Sequence, residues 1–101
     1  MTGDFISLSA GAVRDLLKDR QVSPLELLDA LETRIAEVNG AVNALPTLCF
    51  ERARTRAREQ DFSALPLAGI PIVIKDLLTV SGVRTTFGSM AYRDHVPQSS
   101  D

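Results

Sequence analysis

Lys75 is the residue of this sequence with the clearest chemical potential, because it directly follows the apolar run of residues 70–74 and directly precedes Asp76. Two interpretations are open. The lysine stem can lie along the apolar run while the ammonium reaches water and pairs loosely with Asp76. Alternatively, burial can disfavour the charged form, lower the pKa of the amine and make it available as a general base. Hydrophobic periodicity does not separate these interpretations, and composition alone favours the first.

The segment before Lys75 is predicted to be a buried strand. Residues 70–74 read Ile-Pro-Ile-Val-Ile, a β-branched run of the kind found in strands that are covered on both faces. Pro71 is tolerated near the start of such a strand, where a missing donor costs little. Ser81-Gly82 predicts a turn, and residues 85–89 predict a hydroxyl-rich loop or short strand.

The first half of the chain carries the signals of helices. Apolar residues recur at helical spacing after Ser7 and Ser9, either of which could cap a first helix. Residues 23–26 read Ser-Pro-Leu-Glu, a capping box with proline in the first turn, and Asn39-Gly40 is expected to end that second helix. A polar helix is predicted over residues 51–60, with its alternating arginines spread around a solvated surface.

Composition and charge exclude several classes of function. A net charge of −2 over 101 residues gives no reason to expect nucleic acid or an anionic membrane as the main partner. Cys49 has no second cysteine to pair with and is expected to be packed rather than reactive. His95 lacks a partner at metal-ligand spacing, so no metal site or cofactor is predicted. Neither a signal peptide nor a membrane span is predicted, and a cytoplasmic location is expected.

A longer pattern around Lys75 resembles the opening block of the amidase-signature family. Residues 67–76 read Leu-Ala-Gly-Ile-Pro-Ile-Val-Ile-Lys-Asp, and residues 82–89 read Gly-Val-Arg-Thr-Thr-Phe-Gly-Ser. Members of that family commonly show Gly-Ile-Pro, an apolar strand, Lys-Asp and then a Gly-x-x-Thr-Thr-x-Gly-Ser loop. The helical pair upstream also fits the family's usual N-terminal layout. The resemblance therefore covers nearly the whole chain, and it favours a catalytic Lys75.

The resemblance implies an α/β fold in which N-terminal helices lead into the first strands of a large mixed sheet, incomplete in this chain. Residues 1–101 would be the N-terminal part of an amidase domain, with a helical region at 1–62 and the first core strand and catalytic-lysine block at 63–101. It also implies a Ser-Ser-Lys triad, in which Lys75 takes a proton from a bridging serine that activates a nucleophilic serine. Because such a lysine must be neutral at rest, Asp76 is expected to bind backbone amides of the following loop instead.

Two departures from the family pattern shape the expected function. No Gly/Ser-rich block is present, so the catalytic serines are expected downstream and this chain is expected to be inactive alone. Leu77 stands where A subunits of tRNA-dependent amidotransferases usually have asparagine, which favours a stand-alone amidase. The main expectation is an amidase for a small-molecule amide, without nucleic-acid or membrane partner and with homodimerisation left open. Two alternatives are the A subunit of a tRNA-dependent amidotransferase and a non-catalytic truncated product acting as a helical interaction module.

The apolar run of residues 70–74 also carries an expectation about burial. A strand covered on both faces needs neighbouring strands and layers above and below it, and most of these are expected to come from beyond Asp101. In this chain by itself the run is expected to remain exposed to water. Each large side chain then lacks the favourable free energy of burial, which is on the order of 1.5–3 kcal/mol.

Overall fold

The computed structural model describes residues 4–101, and its regular elements are helical. They are a 3₁₀ helix at Asp4–Ser7, helices α1 at Ala10–Lys18, α2 at Pro24–Val42 and α3 at Phe50–Glu59, and a 3₁₀ turn at Met90–Tyr92. Within residues 4–101 no β-strand is formed, and the only bridge is an isolated antiparallel one between Val80 and Val83. The chain divides into two compact units, a helical unit that ends at Pro71 and a loop unit of Ile72–Asp101.

Helices α1 and α2 begin where a side chain supplies a missing hydrogen-bond partner. Ser9 Oγ accepts a hydrogen bond from Ala12 N at 3.1 Å, so Ser9 rather than Ser7 caps α1. At the start of α2, Ser23 Oγ accepts from Glu26 N at 3.1 Å and Glu26 Oε1 accepts from Ser23 N at 3.2 Å. These two reciprocal bonds are the predicted capping box, which is thereby confirmed.

The C-terminal end of α2 lies beyond the predicted stop at Asn39-Gly40. The helix continues through both residues, and the left-handed residue that ends it is Asn43, with φ of 52°. Asn39 contributes through its side chain, whose Oδ1 accepts from Ala44 N at 3.1 Å and from Leu45 N at 3.0 Å. The prediction was therefore right about the residue type that ends the helix and wrong about its position.

The helical unit has a small apolar core that draws on every element before Pro71 except α3. Leu16, Ala30 and Ile70 pack around the buried side chains, none of which is less than 2% exposed among the residues described. A core of this size is what a short segment of chain can enclose. Its buried members are Phe5, Val13, Leu17, Val22, Leu27 and Ala68.

Arg54 of helix α3 forms ion pairs with two carboxylates of α2. The guanidinium of Arg54 lies 2.6 Å from Glu32 Oε1 and 3.1 Å from Asp29 Oδ1, and it stacks 5.6 Å from the centre of the Phe50 ring. The hydrogen bond to Glu32, followed by the one to Asp29, raises the pKa of Arg54. The polar helix predicted at residues 51–60 is confirmed, but its arginines are not all solvated, since the Arg54 side chain is only 16% exposed.

The predicted strand over residues 70–74 is not formed in this chain, which corrects that part of the α/β expectation. Residues 71–75 have no regular secondary structure, and Ile72, Val73 and Ile74 are 67%, 65% and 47% exposed. A strand needs a neighbour to pair its N–H and C=O groups, and none of residues 4–101 supplies one here. The exposure of residues 72–74 agrees with the expectation that the run stays exposed to water, whereas Ile70 departs from it, because it is half-buried against the core of the helical unit.

In the loop unit, two stretches of chain run antiparallel without forming regular strands. Residues 79–85 lie beside residues 95–101, and the predicted turn at Ser81-Gly82 is confirmed, with Gly82 at φ of 79°. Such a positive φ is the conformation that glycine adopts most readily. The backbone hydrogen bonds between the two stretches are Thr85 N to His95 O (2.9 Å), Gly82 N to Pro97 O (2.9 Å) and Asp101 N to Thr79 O (3.1 Å).

Candidate functional site

Lys75 lies at the junction between the extended apolar run and a tight turn. Its carbonyl oxygen accepts a hydrogen bond from Leu78 N at 3.0 Å, which closes the turn over residues 75–78. The side chain is exposed, and none of the ion pairs found among residues 4–101 involves it. The dry surroundings expected of a buried base are not supplied by residues 72–101.

The Asp76 carboxylate is occupied by Thr86 and does not pair with Lys75. Asp76 Oδ1 accepts from Thr86 N at 2.7 Å, and Asp76 Oδ2 accepts from the Thr86 hydroxyl. These bonds, that of the hydroxyl first, hold the pKa of Asp76 below its ordinary value, and the positive charge of Arg84 adds to the effect. The expectation that Asp76 binds the following loop, rather than holding Lys75 charged, is confirmed.

Residues 86–89 form a tight turn with an unusual backbone. Ser89 N donates to Thr86 O at 2.9 Å, and both central residues are left-handed, Phe87 with φ of 54° and Gly88 with φ of 70°. This pair of angles is typical of a type I′ turn, in which a bulky residue such as Phe87 is uncommon. Gly88 N also donates to Thr86 Oγ1 at 3.2 Å, so the buried Thr86 hydroxyl joins Asp76 to the turn.

Three rings form a cluster on the surface of the loop unit. The Phe87 and Tyr92 rings meet edge to face at 5.2 Å, and His95 lies 5.8 Å from Phe87 and 5.6 Å from Tyr92. His95 is exposed, as predicted, but it is not isolated. Sequence reasoning did not find this cluster because no periodicity links its members; the antiparallel packing of the two stretches brings them together.

The serines of the loop unit make structural hydrogen bonds. Ser81 N donates to Ser100 Oγ at 2.8 Å, and Ser81 Oγ donates to Gln98 O at 3.0 Å. Ser89 Oγ accepts from Ala91 N at 3.2 Å and caps the 3₁₀ turn. These bonds give the three serines structural roles, and the expectation that the catalytic serines lie downstream stays a prediction.

Other predicted features gave mixed outcomes. Cys49 is exposed, so the expectation that it is packed was wrong. It is the N-cap residue of α3, where its carbonyl oxygen accepts a hydrogen bond from Ala53 N at 3.1 Å but its side chain forms no cap hydrogen bond. Within the described residues, no group of three or more His, Cys, Asp or Glu is arranged to hold a metal ion. No helix between residues 4 and 101 has the length and apolar character needed to cross a membrane.

Comparison with known proteins bears on the family of the chain. The sequence profile of the family described as Amidase matches residues 26–101. The chain is 42% identical over 100 residues to the A subunit of the glutamyl-tRNA(Gln) amidotransferase of Neorickettsia sennetsu, covering 93% of this chain and 21% of that protein. It is 37% identical over 103 residues to the protein of the same name from Desulforamulus reducens, covering 96% and 21%.

A third relative gives the same picture. The A subunit of the glutamyl-tRNA(Gln) amidotransferase of Roseiflexus castenholzii is 39% identical over 95 residues, which cover 89% of this chain and 19% of that protein. The chain therefore spans about a fifth of the length of the curated relatives that it matches. Since the family profile matches most of its residues, the chain belongs to the amidase family.

Proposed function

We propose that the complete protein cleaves carboxylic amides with Lys75 as general base, and that it is the A subunit of an amidotransferase acting on glutamyl-tRNA. Family membership supports the amide chemistry. The finer proposal follows the names of the relatives, each the A subunit of a glutamyl-tRNA(Gln) amidotransferase. These names favour the A subunit of a tRNA-dependent amidotransferase over the stand-alone amidase. They also speak against the expectation that nucleic acid plays no part.

In the proposed reaction, the amine of Lys75 accepts a proton from a serine that lies outside these residues. The deprotonated serine relays the activation to a nucleophilic serine, which attacks the amide carbonyl and forms a tetrahedral intermediate. Lys75 then returns the proton to the leaving nitrogen, so that ammonia departs and an acyl-enzyme remains. Water releases the acid, and in an amidotransferase the ammonia attacks an acceptor carboxyl group that a nucleoside triphosphate has activated by phosphorylation, so that phosphate leaves as the new amide bond forms.

One observation supports the proposed role of Lys75 as a general base. Asp76, the acid next to it, is held by the Thr86 amide and hydroxyl. A carboxylate that paired closely with the lysine would stabilise the ammonium and work against a base. The contacts of Asp76 therefore leave Lys75 without a stabilising anion beside it, as a general base requires.

A stand-alone amidase is the second candidate, and Leu77 is the observation that favours it. This residue occupies the position after Lys-Asp where the A subunits of tRNA-dependent amidotransferases usually have asparagine. Its side chain is 55% exposed, so it is free to contact a substrate or a further part of the protein. The two candidates share the amide cleavage and differ in what receives the ammonia.

The test uses the complete protein with the remaining subunits of such an enzyme, glutamine as amide donor, glutamyl-tRNA(Gln) as acceptor and ATP to activate the acceptor carboxyl group. We expect ammonia release and formation of glutaminyl-tRNA, both lost in Lys75→Arg by about 10²–10⁴-fold, because a guanidinium cannot accept a proton. Lys18→Arg, at the exposed end of α1, is the matched control and should change neither activity.

The outcomes separate the candidates. Near-normal rates in Lys75→Arg would contradict the assignment of the base. Ammonia release from simple aliphatic or aromatic amides, without other subunits and without transfer to tRNA, would instead identify a stand-alone amidase.

A further inference from the structure

We infer that Asp76 is the positioning residue of this site: it holds the turn of residues 86–89 in its left-handed conformation and thereby fixes the backbone that carries Lys75. This inference rests on the proposed role of Lys75 and adds to it the residues that place the base. We use the term Asp76 clamp for the Asp76 carboxylate, the Thr86 amide and hydroxyl, and the Gly88 amide.

The contacts of the clamp form a continuous chain across the turn. Both oxygens of Asp76 accept from Thr86, one from its amide at 2.7 Å and the other from its hydroxyl. The same hydroxyl accepts from Gly88 N at 3.2 Å. Thr86 is buried and Asp76 is half-buried, which reduces the competition from water for these bonds. Because the Thr86 hydroxyl donates to Asp76 and accepts from Gly88, both partners must be in place for it to link Asp76 to the turn.

The turn depends on this support because its sequence does not favour its shape. A type I′ turn prefers asparagine, aspartate or glycine at both central positions, whereas here the first is Phe87 with φ of 54°. A bulky side chain at positive φ is uncommon unless other contacts hold it. The Phe87 ring also packs on Tyr92 at 5.2 Å. Release of the clamp would let Phe87 return to an ordinary conformation and would move its ring.

The clamp reaches Lys75 through one peptide bond. On its N-terminal side, Lys75 follows the exposed residues 72–74, for which no backbone hydrogen bond is found within the described chain. On its C-terminal side, the chain turns at once, with Leu78 N bound to Lys75 O. Among the hydrogen bonds and ion pairs of the described residues, those of the Asp76 side chain are therefore the tertiary contacts closest in sequence to Lys75. A general base must be placed to within about 1 Å, since larger errors can cost about 10²-fold in rate.

The clamp should also respond to pH. The charged groups next to Asp76 are Lys75 and Arg84, and residues 86–89 carry no charge. Its hydrogen bonds keep the pKa of Asp76 below the ordinary value of 3.8. Because the folded pKa is depressed, the clamp is fully formed above about pH 3.8 and is lost as the pH falls through the lower, folded value.

The first experiment examines the clamp itself in this chain. Amide resonances of Thr86, Phe87 and Gly88 are followed by NMR as the pH is lowered. We expect them to shift together as Asp76 is protonated, and in Asp76→Asn to keep a constant position over the same range. Asp94→Asn is the matched control in the same unit, because the Asp94 side chain is 92% exposed. If the resonances of these amides do not shift when Asp76 is protonated, the proposed clamp is wrong.

The second experiment examines the role of the clamp in the complete protein, with ammonia release from glutamine as readout. Asp76→Asn should lower kcat by about 10²-fold with KM unchanged, because the base is misplaced while the amide still binds. Thr86→Val should lower kcat in the same way, whereas Thr86→Ser keeps the hydroxyl and should retain most of the rate. Asp94→Asn should match the unmodified protein.

The outcomes separate the positioning role of Asp76 from the proposed role of Lys75 as general base. A wild-type kcat in Asp76→Asn or in Thr86→Val would overturn the positioning role. If Asp76→Asn does not fold by circular dichroism, the contrast between Thr86→Val and Thr86→Ser carries the test. If Lys75→Arg keeps its rate, the proposed function fails, while the NMR titration still decides whether the clamp exists.

Discussion

The helical unit and the loop unit are stabilised in different ways. Every buried apolar side chain of the core lies at or before Ala68, whereas the buried residues of the loop unit are Thr85, Thr86 and Pro97. The first unit is held by apolar burial and capped helices, and the second by hydrogen bonds of the backbone and of polar side chains. The candidate base therefore lies in the unit with less apolar burial. In that unit, hydrogen bonds such as those of Asp76 must hold Lys75 in position.

The sharpest test of this comparison is to remove apolar atoms from both units. Leu27→Ala should destabilise the chain by about 2–5 kcal/mol, because Leu27 belongs to the small core and is only 5% exposed. Ile72→Ala should stay within about 0.5 kcal/mol, because its side chain is 67% exposed. Urea denaturation measures both changes. Equal losses in the two variants would show that residues 72–74 are buried in solution and would contradict the comparison.

A smaller effect is expected at Gly69, where the chain returns to the start of α2. Its φ is 97°, and a Cβ at this position would lie 2.8 Å from Pro24 Cγ. Gly69→Ala should therefore cost more than about 1 kcal/mol.

Gly40 is the matched control for that substitution. It lies inside α2, and a Cβ there meets nothing within 4 Å. Gly40→Ala should raise the free energy of unfolding by about 0.5–1 kcal/mol, because alanine loses less backbone freedom in a helix. Thermal denaturation of the two variants checks the contrast, and the same sign in both would refute it.

An effect below that of Gly69→Ala is expected at the N-terminus of α2. Ser23→Ala removes one of the two reciprocal bonds of the capping box and should cost about 1 kcal/mol. Ser99→Ala, which removes an exposed hydroxyl group of the loop unit, is the control and should cost little. Denaturation curves that coincide for the two variants would mean that the cap adds nothing to the unit.

Features that depend on neighbouring residues could be predicted from the sequence. The Ser23 capping box, the polar helix after Cys49 and the turn at Ser81-Gly82 are all set by contacts within a few positions of the chain. The partner of Asp76 could also be inferred, as a loop amide, because a base at Lys75 excludes a close ion pair. Lys75 itself was found through the pattern around it, and its role stays a proposal.

Features that depend on distant residues were decided by the tertiary structure alone. Arg54 reads as one of several solvated arginines, yet α2 brings two carboxylates to it. The run of residues 70–74 reads as a buried strand, but an apolar pattern states only a preference, and the partner that would satisfy its backbone is not among residues 4–101. The left-handed Phe87 and its contacts with Tyr92 and His95 likewise need the folded loop unit. Local hydrogen bonds are encoded by adjacent residues, whereas burial and pairing depend on which segments the fold places side by side.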